Sequence, residues 1–190
     1  MLSFRYYLER WLSRFRQPDG PAEGLHDNGE IGFRGSFRDG KEEGPWEFYH
    51  PNGQLEIECT YRNGERDGPW RIYHENGRLK VSGSSREGKP DGLFERFDAT
   101  GQLYERLNYR VGDLEGLYEK FHENGRLAET GRYHEGRPEG LWHFYYPSGQ
   151  LRKRGRFMNR RRSGVWEYFD EAGRLVRQHN FKTDDAGAFY

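Results

Sequence analysis

Three histidines, His50, His74 and His122, stand at one slot of a 24-residue spacing, and they are the residues best suited to hold a metal. The spacing argues against a metal ladder. If each 24-residue stretch makes two strands, equivalent side chains lie about 10 Å apart, whereas every ligand of a zinc ion must come within about 2.1 Å of it. Asp98 and Asp170 occupy the same slot, so these residues are read as turn formers that satisfy backbone groups.

Two stretches imitate a phosphate-binding loop: Gly35-Ser36-Phe37-Arg38-Asp39-Gly40-Lys41, and Gly83 through Gly88-Lys89. The residue after the lysine is Glu42 or Pro90, where Ser or Thr would be needed to hold magnesium. Each stretch also falls between expected strands and not before a helix. Glu47, Glu95, Glu119 and Glu167 recur in phase, as a solvated strand face would, while a catalytic pair needs residues that break the repeat. With no cofactor loop and no isolated Ser, His and Asp constellation, the chain is read as a non-enzyme with no cofactor and no bound metal.

The one local charge anomaly is Arg152, Lys153, Arg154, Arg156, Arg160, Arg161 and Arg162, with no acid between positions 150 and 162. An acidic protein or an anionic headgroup would suit it, and so would a solvated turn with surplus arginine. Phe157, Tyr168 and Phe169 could add base stacking for single-stranded nucleic acid. Against that stands the balance of 31 basic and 31 acidic residues, which leaves no global field toward nucleic acid or an anionic bilayer.

The elements that carry these residues come from a repeat. Gly44 recurs as Gly68, Gly92, Gly116, Gly140 and Gly164; Gly53 recurs in step up to Gly173, and Leu55 up to Leu175. Pro45 to Tyr49 is short, aromatic-rich and bounded by Gly44 and by Pro51-Asn52-Gly53, which predicts a strand entering a hairpin turn, with Asn-Gly supplying positive backbone angles. Leu55 to Tyr61 predicts the returning strand, and Asn63 to Gly68 the connection onward. A four-residue turn would set residue 48 opposite 55 and residue 46 opposite 57. The always-aromatic slot of Tyr49 then points to the second face or is turned inward by a bulge. Two ladders are expected to hold neighbours together: Trp46, Trp70, Phe94, Tyr118, Trp142 and Trp166, and the six leucines.

Residues 1–16 are of another kind. Phe4, Leu8, Trp11, Leu12 and Phe15 follow helical spacing, with Arg5, Arg10, Arg14 and Arg16 between them, so a short amphipathic helix is expected. It is read either as a cap on the first repeat or as an anchor on a membrane surface or a membrane-protein complex. Pro18, Gly20 and Pro21 make 17–27 a linker into the array, which opens with a half unit lacking the tryptophan segment. The array spans 28–184 and is followed by a tail at 185–190. Hydrophobic residues are only 33% of the chain, yet 13 Tyr, 13 Phe and 5 Trp at regular spacing favour order with thin, aromatic-rich burial. The single Cys59 suits a reducing compartment, so a cytoplasmic, membrane-peripheral at most, location is expected.

These motifs resemble the MORN-repeat superfamily, and more closely the bacterial MORN variant of YwqK-type antitoxin proteins. Gly68, Trp70, Tyr73, Asn76, Gly77 and Leu79 carry the pattern in one unit, and Tyr133 and Gly136 show the closing Tyr-x-x-Gly of another; Ser85 and Arg160 depart from it. The resemblance implies stacked hairpins that bind proteins or lipids. The expectation is an all-β repeat, an elongated antiparallel meander of about twelve strands in 24-residue MORN-like units. Its expected function is non-catalytic protein binding of an antitoxin or immunity type, or else a scaffold peripheral to a membrane-bound assembly.

Overall fold

The computed structural model describes residues 19–182, and every element among them is a strand. The N-terminal helix expected at 1–16, and with it Phe4, Leu8, Trp11, Leu12 and Phe15, lies outside the described residues. Eighteen strands, four of them only two residues long, form one sheet. Each long strand pairs antiparallel with the next in sequence, so the chain is a meander: Gly44–Tyr49 pairs with Leu55–Arg62, which pairs with Gly68–Tyr73, which pairs with Leu79–Arg86. Meandering is the outcome expected when short strands are joined by hairpin turns that leave no length for a crossover.

The two turns of a unit divide the work differently from the sequence expectation. In the first, His50 to Gln54 form a five-residue loop: Gly53 N–H donates to the His50 carbonyl and His50 N–H to the Gln54 carbonyl, both at 2.8 Å. Gly53 takes φ +80°, while Asn52 is not in the left-handed region. The asparagine acts through its side chain instead, Oδ1 accepting from Gln54 N–H at 3.0 Å. The doubly left-handed turn lies at the other end of the unit, where Asn63 (φ +53°) and Gly64 (φ +84°) link Arg62 to Glu65. Two consecutive positive φ values define the tight hairpin turn whose twist matches the strands.

The register also differs. Trp46 faces Cys59 and Phe48 faces Ile57, and the ladder shifts between Phe48 and Tyr49, so that Tyr49 faces Leu55. The same shift recurs at Ile72/Tyr73, Arg96/Phe97, Lys120/Phe121, Phe144/Tyr145 and Tyr168/Phe169. A five-residue loop accounts for it, because the extra residue must be absorbed as a bulge. The segment expected as a linker contains the strand Gly20–Leu25, paired with Ile31–Arg38. The opening unit is therefore a complete hairpin, with Ala22 in the tryptophan slot facing Gly35.

Burial is concentrated on the tryptophan-bearing, aromatic face. Trp46, Trp70, Phe94, Tyr118, Trp142 and Trp166 are all buried, Trp166 completely. The leucine ladder is weaker than expected: Leu55 is half-buried and Leu175 is 49% exposed. What takes its place is a slot opposite the tryptophans held by Gly35, Cys59, Gly83, Leu107, Gly131 and Gly155. A Cβ on Gly35 would lie 2.1 Å from Trp46, one on Gly131 2.2 Å from Trp142, and one on Gly155 2.2 Å from Trp166. The indoles of Trp46, Trp142 and Trp166 thus lie on the bare backbone of the preceding strand, whereas Trp70 follows Cys59 and lies against Gly83 of the strand after it. Rings from its own strand and from both neighbours close in Trp46: Phe33 and Phe48 stack on it at 5.9 and 5.8 Å, while Phe37 and Tyr61 meet it edge-on at 5.1 and 6.0 Å. Such pairs contribute about 0.5–1.5 kcal/mol each beyond area burial, which lets one sheet bury its own core.

Candidate functional site

The histidine slot serves the fold. His26, His50, His74 and His122 each place Nε2 2.8–3.2 Å from the carbonyl of Tyr49, Tyr73, Phe97 or Tyr145 in the next unit. A carbonyl only accepts, so Nε2 is the protonated nitrogen in each case. Asn28, Asn52, Asn76 and Asn124 run beside them, Nδ2 donating to Pro51, Glu75, Ala99 and Pro147 carbonyls at 2.7–2.9 Å. Asp98 bends back on its own turn, accepting from Thr100 and Gln102. These turn-to-turn bonds join successive hairpins along one margin of the sheet.

The face opposite the tryptophans is polar and internally neutralised. One row of directly facing residues starts Glu23, Arg34, Glu47, Glu58 and ends Arg154, Glu167, Gln178. Along it Arg34 bonds Glu23 at 2.8 Å, Arg71 bonds Glu58 at 2.6 Å, Arg106 bonds Glu95 at 2.9 Å, and Arg154 bonds Glu167 at 2.5 Å. The hydrogen bond from Arg71, aided by Tyr73, holds the Glu58 carboxyl below the usual range. The aromatic slot after the bulge covers part of this face: Tyr49 Oη donates to Glu47 at 2.6 Å, and Arg154 lies 5.7 Å over Phe169. A shallow depression of ≈ 230 Å³ here is lined by Pro45, Thr60, Pro69 and side chains already paired, Glu58 and Arg71 among them.

On the aromatic face one row breaks the repeat. It passes strand by strand through Phe33, Phe48, Ile57, Ile72 and Val81, then Arg96, Glu105, Lys120 and Glu129, then Phe144, Lys153, Tyr168 and Arg177. Its character changes from apolar to ionic to cationic-aromatic. In the middle third the charges consume one another. Arg96 bonds Glu105 at 2.7 Å, Lys120 lies 3.8 Å from Glu129, and Tyr118 Oη sits 3.2 Å from a carboxylate oxygen of each glutamate. Burial, with two carboxylates beside it, drives the Tyr118 hydroxyl far above its ordinary pKa and keeps it neutral.

The last third is different. The Lys153 ammonium lies 4.2 Å from the Phe144 ring centroid and 6.0 Å from that of Trp166; the Arg162 guanidinium lies 4.7 Å over Trp166 and 5.6 Å over Phe181. Arg177 lies 5.6 Å over Tyr168. None of these three cations has a salt bridge among the described residues. Burial, then the charges of Arg162 and Arg152, push the Lys153 ammonium below its ordinary pKa. Two cations thus flank one buried indole, and Glu129 is the one carboxylate that acts on Lys153 among the described residues. The fold divides the basic stretch between faces: Lys153 and Arg162 meet over Trp166, Arg154 is spent on Glu167, and Arg152 and Arg156 are exposed on the polar face. Arg160 stands at the turn, and Arg161 opens the strand after it, facing Met158. Among the described residues no group of three His, Cys, Asp or Glu is placed to hold a metal, and no helix is long and apolar enough to cross a membrane.

The MORN repeat variant model matches six stretches, 42–63, 66–85, 90–110, 114–135, 138–159 and 162–183. The chain belongs to the MORN repeat variant family. The second and last units, which carry the departures Ser85 and Arg160, are matched with the rest, whereas the opening hairpin lies outside the match. MORN repeats suggest a repeat protein with a binding or scaffold role. No curated protein matches the chain. Among solved structures, TarM is 10% identical over 70% of this chain with a TM-score of 0.32, and a GtfA/B complex is 18% identical over 72% with a TM-score of 0.24. The chain covers 22% of the length of either.

Sequence reasoning missed the glycine slot under the tryptophans and the non-repeating row of Phe48, Ile72, Arg96, Lys120, Phe144 and Tyr168. Both were visible as 24-residue columns: one nearly uniform in small size, the other uniform in nothing.

Proposed function

We propose that this MORN-variant chain is a non-catalytic binding protein that docks one acidic protein partner on the C-terminal third of its aromatic face. One observation supports the reading: Lys153, Arg162 and Arg177 lie over aromatic rings without a carboxylate partner among the described residues, while the opposite face neutralises itself strand by strand. Arginines and aromatics are the usual anchors of protein interfaces. An antitoxin or immunity protein is the form of binding that the family resemblance implies. Cytoplasmic work goes with it, since Cys59 is a buried free thiol.

Affinity capture tests the site. Lys153→Glu with Arg162→Glu should abolish capture of the partner, and Arg34→Glu on the polar face should not. Equal capture by both variants would refute the placement. The product of the neighbouring reading frame is the first partner to try, and a toxin there would favour the antitoxin form. The scaffold reading puts attachment in residues 1–16 instead, and predicts that the full chain floats with anionic liposomes.

A further inference from the structure

Two of the long strands have a neighbour on one side only among the described residues: Gly20–Leu25, paired with Ile31–Arg38, and Leu175–Phe181, paired with Arg161–Phe169. The two edges differ. Gly20–Leu25 holds two glycines and Pro21, and its one charge, Glu23, is already bonded to Arg34 at 2.8 Å. Leu175–Phe181 has neither glycine nor proline, is exposed from Leu175 through Asn180, and carries Arg177 of the cationic-aromatic site. We propose that the acidic partner is held here by strand addition, one of its extended segments pairing antiparallel with Leu175–Phe181 and setting a carboxylate opposite Arg177. The proposal rests on the docking surface assigned above and adds how the partner is gripped.

The repeat shows which backbone groups this edge offers. Ser36, Thr60, Ser84 and Asn108 each turn a carbonyl to the next unit, accepting from Glu43, Asp67, Asp91 and Glu115 N–H at 2.8–3.0 Å. Asn180 holds the same slot of the last strand, and backbone direction alternates along a strand, so the groups of Asn180 and Gln178 point away from Arg161–Phe169. The repeat also shows what side chain belongs there. At this position of the aromatic face each unit meets its like or its complement in the next: Phe33 faces Phe48, Ile57 faces Ile72, and Glu105 faces Lys120. Arg177 calls by the same rule for an acid. A second copy of this edge fits poorly, since antiparallel pairing about Gln178 sets Arg177 against His179, and pairing about Arg177 sets arginine against arginine.

Backbone NMR of the intact chain, titrated with a peptide of residues 116–122 carrying Lys120→Glu, tests this without the partner itself. In the sheet Lys120 of that segment faces Glu105, so the change puts a carboxylate at the position that would face Arg177. The peptide should shift the Gln178 and Asn180 amides most, and bind about fivefold tighter than the unchanged segment. Gln178→Pro should abolish the shifts and Gln178→Ala should keep them: both lose the side-chain bond to Glu167, but only proline loses the outward N–H. Arg177→Glu should invert the preference, which decides the matter even if the proline variant does not fold. Shifts centred on Lys153 and Arg162, equal binding of the two peptides, or no binding at millimolar peptide would overturn strand addition. Amide shifts that grow with protein concentration alone would overturn it in favour of a second copy. Partner capture that needs Lys153 and Arg162 but survives Gln178→Pro keeps the docking face and removes the added strand; edge shifts with capture indifferent to Lys153 and Arg162 do the reverse.

Discussion

The packing of each tryptophan on a glycine predicts a compensating pair that a generic hydrophobic core would not show. In one unit Trp142 lies on Gly131, with a Cβ at Gly131 calculated to fall 2.2 Å from Cδ2 and Cε2 of the indole. One unit earlier the same two slots hold Leu107 and Tyr118, which are 5% and 8% exposed. Gly131→Leu alone must push the indole back by roughly 1.3 Å or more to restore ordinary carbon contact, at a cost of about 3 kcal/mol for an overpacked site. Trp142→Tyr alone leaves part of the indole space unfilled and should cost about 1–3 kcal/mol. Together the two changes recreate the neighbouring pair.

The double variant should therefore lose only about 1–2 kcal/mol, a coupling of about 2–5 kcal/mol against the sum of the single losses. Urea unfolding of the four proteins, followed by circular dichroism and compared at equal m-value, measures it. Additivity within about 0.5 kcal/mol would show that the glycine column is unrelated to the tryptophans. The reciprocal test is Leu107→Gly with Tyr118→Trp, which should be coupled in the same sense.

Arg160 takes φ +67° at a turn position filled by glycine in the five preceding units, so Arg160→Gly should raise stability by about 1 kcal/mol, seen as a higher urea midpoint. Ser85 is 4% exposed and accepts the Trp70 Nε1–H at 3.0 Å, so Ser85→Ala should cost about 1–3 kcal/mol in the same assay. The low end is expected, because the indole N–H groups of Trp46 and Trp142 are already buried without a partner among the described residues. His134, bonded to Glu115, should titrate above 6.5 by NMR and return toward it in Glu115→Gln. Its contribution to stability is full below 6.5 and fades as pH rises through the folded value. His143 is shifted the other way, by burial and by Arg154, so its contribution is present above 6.5 and fades as pH falls through its lowered value.

The fold was legible because the repeat states its strand ends. Gly44, Gly53 and Leu55 return in step, and the alternation of Trp46 with polar neighbours names the buried face. The register was not legible, since it depended on whether Asn52-Gly53 or Asn63-Gly64 forms the doubly left-handed turn. Both dipeptides are Asn-Gly, and the difference lies in loop length. Other units show which is which: at the second turn Asp39, Glu87, Val111 and Glu135 hold the position of Asn63, each with positive φ. They are tolerated there because a two-residue connection between strands of native twist leaves the backbone no alternative. In the first turn Asn recurs for its side chain, which Asp, Val or Glu could not use to donate to the next unit's carbonyl.

The candidate site was half legible for a related reason. A run of basic residues in sequence is read as one patch, but a strand sends successive side chains to opposite faces, so Arg152, Arg154 and Arg156 part from Lys153. What gathers Lys153 with Arg162 and Arg177 is the hairpin register, which brings residues 9 and 24 positions apart onto one row or its neighbour. A uniform ladder can hold hairpins together but cannot tell one end of the sheet from the other. The row through Phe48, Arg96 and Lys153 can, because its members differ while the tryptophan row beside it is kept. A framework that chose one partner would have to choose through such a row, and the row's two cations without carboxylate partners among the described residues, Lys153 and Arg177, lie over Phe144 and Tyr168.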